Sequence, residues 1–255
     1  MTRALVTGAT AGLGAEFARQ LAGGGADVVL VARDEARLSS TQIALEDRHA
    51  VKVEIVSADL STVDGCDRVG ERIASTTSPI DILVNNAGIG MYRRFGVADL
   101  EREERMLDLN VRAVLRLTHA AVRAMTARGS GQIINVSSVS GFVPRGGNVT
   151  YSASKAWVTM FSEGLAIALA GSGVQVTAVC PGFTRTEFHE RANAEMSNVP
   201  DWMWLDVHDV VAQGLTDARR GKPVSIPSAR YKALAGAARY TPRSVLRAFM
   251  RRRTL

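Results

Sequence analysis

The sequence predicts an α/β doubly wound fold: one domain built on a parallel sheet with helices on both faces. Three observations predict it. Short Val- and Ile-rich runs alternate along the chain with longer amphipathic stretches. The runs are apolar at nearly every position, as strands covered by helices on both sides must be. A glycine-rich turn joins the first run to the first amphipathic stretch, where doubly wound folds hold nucleotides.

Strands are expected at 3–7 (RALVT), 28–32 (VVLVA), 51–57, 80–85, 132–137 (QIINVS), 174–180 (VQVTAVC) and 223–226. Helices are expected near 12–24, 35–48, 62–77, 99–128, 150–171 and 207–220. Alternation in this order, with right-handed crossovers, leaves a central parallel sheet. Residues near 184–206 read as an irregular insertion and the last segment as a basic helical tail. No repeat, low-complexity stretch or Pro/Gly-rich linker divides the chain.

The 255 residues are 46% apolar and 22% charged, which excludes collagen-like, coiled-coil and disordered classes. Cys66 and Cys180 are too few and too far apart for a disulfide framework or a zinc site, and His49, His119, His189 and His208 lack metal-ligand spacing. No metal is expected. The first residues lack the apolar core of a signal peptide, and no stretch offers about 18 uncharged apolar residues. A reducing, cytoplasmic setting is expected.

The net charge of +6 hides an asymmetry: the last 38 residues hold 11 Lys/Arg and no Asp or Glu, whereas positions 1–217 hold 20 basic and 25 acidic residues. The basic character belongs to the tail, so it does not point to a nucleic-acid-binding body.

The turn Thr7-Gly8-Ala9-Thr10-Ala11-Gly12-Leu13-Gly14 opens the first helix. Glycines there let backbone N–H groups approach a pyrophosphate at the positive end of the helix. No Lys follows, which excludes the triphosphate P-loop. A glycine-rich turn that serves only helix–sheet packing is the alternative reading.

Cofactor choice is expected at the end of the second strand, where an acid would bond a ribose hydroxyl and an Arg would accommodate a 2′-phosphate. Arg33 stands there, followed by Asp34. Asp34 is read as the N-cap of the next helix, with a ribose-binding acid as the alternative. NADP is therefore expected in preference to NAD.

Tyr151 and Lys155 are four residues apart on a helical stretch and so share a face. A phenol of pKa near 10 needs about 4 kcal/mol to become a base at neutral pH, roughly what a cation at ~4 Å supplies at an effective dielectric of 20. The pair is a candidate general acid/base, although most such pairs are solvated helix faces. Ser138 follows the fifth strand, at the sheet edge where ligands of such folds sit. It can bond a substrate carbonyl as charge develops or simply cap a loop.

Together these pieces resemble the short-chain dehydrogenase/reductase family over nearly the whole chain. The matching motifs are the glycine turn, Asp59 after the third strand, Asn85-Asn86-Ala87-Gly88 after the fourth, Asn110, Ser138, Tyr151/Lys155 and Pro181-Gly182. The resemblance implies a Rossmann-like oxidoreductase domain over 1–228, with 229–255 as a basic amphipathic extension. It implies Tyr151 as acid/base, Ser138 as the residue orienting the carbonyl, Lys155 lowering the phenol pKa and holding the nicotinamide ribose, and Asn110 positioning a water in the proton relay. It further implies cofactor contacts at Gly8, Thr10, Gly12, Leu13, Gly14, Arg33, Asp59 and Leu60, and at Asn86, Ala87 and Gly88. Pro181, Gly182, Thr184 and Thr186 are implied at the nicotinamide end. Ala11 stands where some NADP-preferring relatives carry a second basic residue, leaving Arg33 as the single expected phosphate cation.

The segments expected on the substrate side are apolar and aromatic: Met91, Tyr92 and Phe95; Phe142 and Val143; Phe183 and Phe188; Trp202, Met203 and Trp204. They suit a hydrophobic carbonyl compound, although core packing explains each singly. In the tail, Tyr231, Leu234, Ala235 and Ala238 share one face, and Leu246, Phe249 and Met250 continue an apolar stripe opposite arginines. Such a helix lies on an anionic membrane, docks on a partner or packs on its own body.

The sequence thus reads as an NADP(H)-dependent oxidoreductase interconverting a carbonyl and an alcohol, with an apolar small-molecule substrate. The alternative is a non-catalytic NADP(H)-binding sensor or scaffold, which would be expected to have lost one of Ser138, Tyr151 and Lys155. By resemblance the chain is expected to form a homo-oligomer through the helices near 106–128 and 150–171. No nucleic-acid partner is expected.

Overall fold

The computed structural model describes residues 2–93, 95–192, 194, 196, 197 and 199–251, with the side chains of all but Phe249 and Arg251. Its sheet has seven strands in the order β3-β2-β1-β4-β5-β6-β7, and every neighbouring pair is parallel. These are β1 (Arg3–Thr7), β2 (Asp27–Ala32), β3 (Val53–Ser57), β4 (Ile82–Asn85), β5 (Gly131–Val136), β6 (Val174–Val179) and β7 (Val224–Ser225). The crossover helices are α1 (Gly12–Gly23), α2 (Glu35–Arg48), α3 (Val63–Ala74), α4 (Leu100–Leu107), α5 (Ala113–Arg128) and α6 (Val149–Ala168). After β6 come the short α7 (Phe188–Arg191), then α8 (Val207–Arg219), and after β7 come α9 (Ala229–Tyr240) and α10 (Arg243–Arg251). This is the single-domain, Rossmann-like doubly wound fold expected.

The uniformly apolar strands follow from the two cores they feed, because successive side chains point to opposite faces. Val6, Leu30, Val84 and Ile134 join Phe17 and Leu21 of α1 and Leu215 of α8 on one face. Leu5, Val29, Leu83 and Ile133 join Ile73 of α3 and Leu117 and Met125 of α5 on the other. The strand order reverses at β1, whose neighbours are β2 and β4, and the crevice beyond the carboxyl ends of β1 and β4 is where a ligand fits.

The structure revises three local expectations. The helix expected over 99–128 is interrupted: Asp108–Arg112 form one π-helical turn between α4 and α5. The extra residue in that turn points Asn110 inward, where it is fully buried. The fifth strand stops at Val136, and the Ser138 hydroxyl accepts from Ser140 N to cap a 3₁₀ turn over Val139–Phe142. The irregular stretch near 184–206 is closed at its base by a bridge between Thr184 and Leu205 and holds α7 and a 3₁₀ turn at Asp201–Met203.

Helix α9 packs on the body. Tyr231 is 3% exposed, and its ring lies flat on Gly182, where a Cβ would fall inside it. The Tyr231 hydroxyl donates to Met203 O at 2.8 Å and accepts from Phe183 N at 3.1 Å. Among the described residues no helix is long and apolar enough to cross a membrane.

At the far end of the sheet, buried Asp217 accepts from Lys222 Nζ at 2.6 Å and from Ser225 Oγ at 2.8 Å. Burial alone would push its pKa up; the Lys222 and Ser225 hydrogen bonds outweigh that and hold it below the ordinary value. The contribution is therefore present above the unfolded carboxyl pKa of about 3.9 and is lost as pH falls through the lower folded value. Asp217→Ala is expected to cost about 1.5–3 kcal/mol, read as a lower denaturant midpoint at neutral pH, with the gap to wild type closing in strong acid.

Candidate active site

The crevice is a cavity of about 1880 Å³, larger than the 300–1,000 Å³ usual for one small ligand. One half is built from the ends of β1, β2 and β4. Gly8 and Gly12 take φ of +66° and +53°, a left-handed geometry that a side chain would strain. A Cβ on Gly14 would overlap the Gly8 carbonyl, so this glycine lets α1 start directly behind the loop. Gly14→Ala is expected to weaken dinucleotide binding at least about tenfold by displacing the loop, roughly 1.4 kcal/mol, as read by titration of NADPH. Asn86 straps the loop down: its Nδ2 donates to Thr7 O at 2.9 Å, while Thr7 Oγ1 accepts from Asn86 N and Ala87 N at 2.9 and 3.0 Å.

The residues fit a dinucleotide. Helices α2, α3 and α8 each begin with a side-chain cap, from Asp34, Thr62 and Asp206, whereas α4, α6 and α9 do not. Helix α1 begins at Ala11 with none, which leaves its first N–H groups for an anion. Gly8, Thr10, Gly12 and Leu13 line the cavity, as do Arg33, Asp59, Leu60, Asn86, Ala87 and Gly88. Thr186 closes over the loop from the opposite wall: a Cβ on Gly12 would meet its Cβ at 3.2 Å. Pro181, Gly182 and Thr184 also line this wall.

At the adenosine end, Asp34 caps α2, accepting from Arg37 N at 3.0 Å. The exposed Arg33 shares the cavity mouth with Arg37. Arg37 was not anticipated from the sequence. It lies 3.5 Å from Glu187 across the cleft and 3.8 Å from Asp34. Burial would raise the Asp59 carboxyl, but Ser61 hydrogen bonds and the Arg105 and Arg33 charges hold it below its ordinary value, so it is ionised near neutral pH.

The other half holds the candidate chemistry, where α6 presents Tyr151 and Lys155 to the cavity, both buried. Lys155 Nζ donates to Val136 O at 2.8 Å and lies 5.8 Å from the centre of the Tyr151 ring. Burial lowers its pKa to about 8. Burial pushes the Tyr151 phenol well above its ordinary value, Tyr92 adds to this, and hydrogen bonding to Ser138 and the charge of Arg145 offset it only in part. The lowering by Lys155 that the resemblance implies concerns the protein with its cofactor bound; in the protein alone burial raises the phenol. Desolvation is the largest influence on this phenol, and Ser138 and Arg145, not Lys155, are the groups that offset it.

Asn110 does not line the cavity. Its Oδ1 accepts from Ile89 N at 3.0 Å, and its Nδ2 donates to Ile89 O at 2.9 Å and Ser154 Oγ at 3.2 Å. A Cβ on Gly88 would lie 3.1 Å from Asn110 Oδ1 and 3.5 Å from Lys155 Nζ, so Asn110 fixes the backbone that passes beside the lysine.

The substrate-side expectations hold in part. Tyr92, Phe142, Val143, Phe183, Phe188, Trp202 and Met203 line the cavity. Met91 does not line it, Phe95 is 65% exposed, and Trp204 instead packs against Phe183 and His189. Arg145 and His189, absent from the sequence expectations, also line the cavity. So does the tail: Leu234 and Ala238 of α9 and Leu246 and Met250 of α10 border it. These residues face the cavity, while Tyr231 is the tail residue that packs on the chain's own body. The Phe249 side chain and residues 252–255 lie outside the described residues.

A glycine turn on β1, a Ser on β5's far end and a Tyr-x₃-Lys helix meeting in one cavity agree with what the comparisons find. The short chain dehydrogenase family model matches residues 2–197. The chain belongs to this family. The short-chain dehydrogenase from Sphingobium yanoikuyae in complex with NADPH is 37% identical, with 93% of each chain covered and a TM-score of 0.86. The bulky-bulky ketone specific alcohol dehydrogenase from Comamonas testosteroni is 34% identical, with 93% of this chain and 92% of that one covered and a TM-score of 0.81. The 3-oxoacyl-[acyl-carrier-protein] reductase of Synechocystis sp. is 36% identical over 192 residues, 75% of this chain and 78% of that protein. As a short-chain dehydrogenase, this chain is an oxidoreductase of small molecules that uses a nicotinamide cofactor.

Proposed function

We propose that this short-chain dehydrogenase reduces apolar ketones or aldehydes with NADPH, with Tyr151 delivering the proton. The observation that carries the reading is the buried phenol of Tyr151, beside Lys155 and Ser138, in the same cavity as the glycine loop and two arginines. A relative crystallised with NADPH and one described as specific for bulky ketones support the cofactor and the substrate class.

Arg33 and Arg37 bind the 2′-phosphate, in preference to the bare ribose of NAD. When bound, NADPH supplies the hydride that the carbonyl carbon receives. The chain does the rest. Ser138 donates to the substrate carbonyl and orients it, and the Tyr151 O–H passes its proton to that oxygen as negative charge develops. The Lys155 ammonium stabilises the phenolate left behind, and Asn110 positions the Gly88–Ile89 backbone beside it. Reductive kcat/KM is expected to fall as pH rises through about 8, where Lys155 loses its proton, and a pH profile flat through that region would contradict the role given to Lys155. Exposed Leu115, Met160 and Ile167 on α5 and α6 support a homo-oligomer through these helices.

The test is NADPH and NADH oxidation against apolar ketones, aldehydes, 3-oxoacyl thioesters and sugars. Apolar carbonyls with NADPH are expected to turn over best; equal or better turnover of sugars would overturn the substrate class.

A further inference from the structure

Among the described residues, six buried side-chain nitrogen or oxygen atoms have no hydrogen-bond partner, and two of them, Arg145 Nε and His189 Nδ1, belong to residues lining the substrate half of the cavity. Buried polar atoms are rarely left unpaired; Arg145 is half-buried, with its Nε out of water. Arg145 has no ion-pair or hydrogen-bond partner among the described residues; its guanidinium is held by the Phe183 ring, 5.9 Å from the centroid. His189 packs on the same ring, 5.8 Å between centroids, and burial lowers its pKa, which leaves a neutral imidazole able to donate one N–H. The Arg145 charge reaches Tyr92, Tyr151 and Tyr231, so the cation lies among the phenols that surround the reaction centre.

We propose that Arg145, assisted by His189, binds a carboxylate on the substrate, so that the preferred substrate is an oxo acid with an apolar body. The inference rests on the carbonyl-reductase reading above and narrows its substrate class. A planar guanidinium matches a carboxylate in two parallel hydrogen bonds, and among the described residues no carboxylate pairs with Arg145. The apolar body of the substrate then lies against Phe142, Leu234 and Leu246. Arg145 thereby selects the substrate and sets its register against Tyr151.

The test compares benzoylpropanoate, an apolar oxo acid, with its methyl ester as NADPH-driven substrates of wild type, Arg145→Met and Arg145→Lys. Wild type is expected to favour the acid over the ester by about ten- to a hundredfold in kcat/KM, the factor expected of a charged hydrogen bond. The loss in Arg145→Met should fall on KM for the acid, the preference should collapse, and Arg145→Lys should restore part of it. A second arm needs no turnover: calorimetric titration of the NADPH complex with phenylbutanoate, which has no carbonyl to reduce, is expected to show binding that Arg145→Met loses. NADPH titration of each variant checks that it is folded. Equal use of acid and ester by wild type, or phenylbutanoate binding unaltered in Arg145→Met, would overturn the role of Arg145 while leaving the reductase reading intact. Phenylbutanoate binding that depends on Arg145, with no carbonyl in any panel reduced, would instead overturn the reductase reading alone.

Discussion

Tyr151→Phe is expected to lower kcat for NADPH-driven carbonyl reduction by about 10²–10⁴-fold, the range for losing a general acid, while the protein still folds and binds NADPH. The change removes one oxygen from a ring packed at 5.7 Å from Phe188 and leaves that packing intact. Tyr151 is a cavity phenol whose pKa burial raises and which hydrogen-bonds Ser138. Steady-state turnover beside NADPH titration checks this, and the loss should appear in kcat rather than in cofactor affinity. Ser138→Ala should act in the same direction through the orientation of the carbonyl.

The second large effect is expected at the mouth of the cofactor half. Replacing Arg33 and Arg37 together by Ala should reduce the preference for NADPH over NADH by about 10²–10⁴-fold, from two charged hydrogen bonds of about 1.5–3 kcal/mol each. Arg33→Ala alone should remove only part of it. Arg37 already has acidic company in Asp34 and Glu187, both more than half exposed, and such pairs hold an arginine only weakly. It is free to turn to a phosphate. Kinetics with both cofactors on the single and double variants check the expectation; an unchanged ratio would return the ribose to Asp34.

The parts of this molecule legible in its sequence are those set by local rules. Strands such as β2 are legible because burial on both faces demands apolar residues at nearly every position. The glycine turn is legible because only glycine allows φ of +66° at position 8 and the close packing at position 14. The π-helical turn at Asp108–Arg112 was not, since an extra residue in a helix leaves the same composition on either side. Arg37 was missed because it stands on the first turn of α2 and reads as a solvated helix face. Arg145 stands singly in an irregular segment and His189 on the short α7, and no spacing links them; Phe183 joins them only once the fold is closed. The tail's amphipathicity was visible, but its docking depends on Tyr231 meeting Gly182 and Met203, three segments distant in sequence. The burial of the Tyr151 phenol shows the other limit: a pairwise charge estimate from sequence carries no desolvation, which is the largest influence on this group in the folded protein.

The most direct test of the account is a single turnover: the NADPH-loaded protein is mixed with an apolar ketone near neutral pH, and loss of nicotinamide absorbance is followed for wild type and Tyr151→Phe. The account predicts rapid NADPH oxidation by wild type and almost none by Tyr151→Phe, with the cofactor fully bound in both. Oxidation at the same rate in both proteins would contradict it, because the proton would then come from elsewhere than Tyr151.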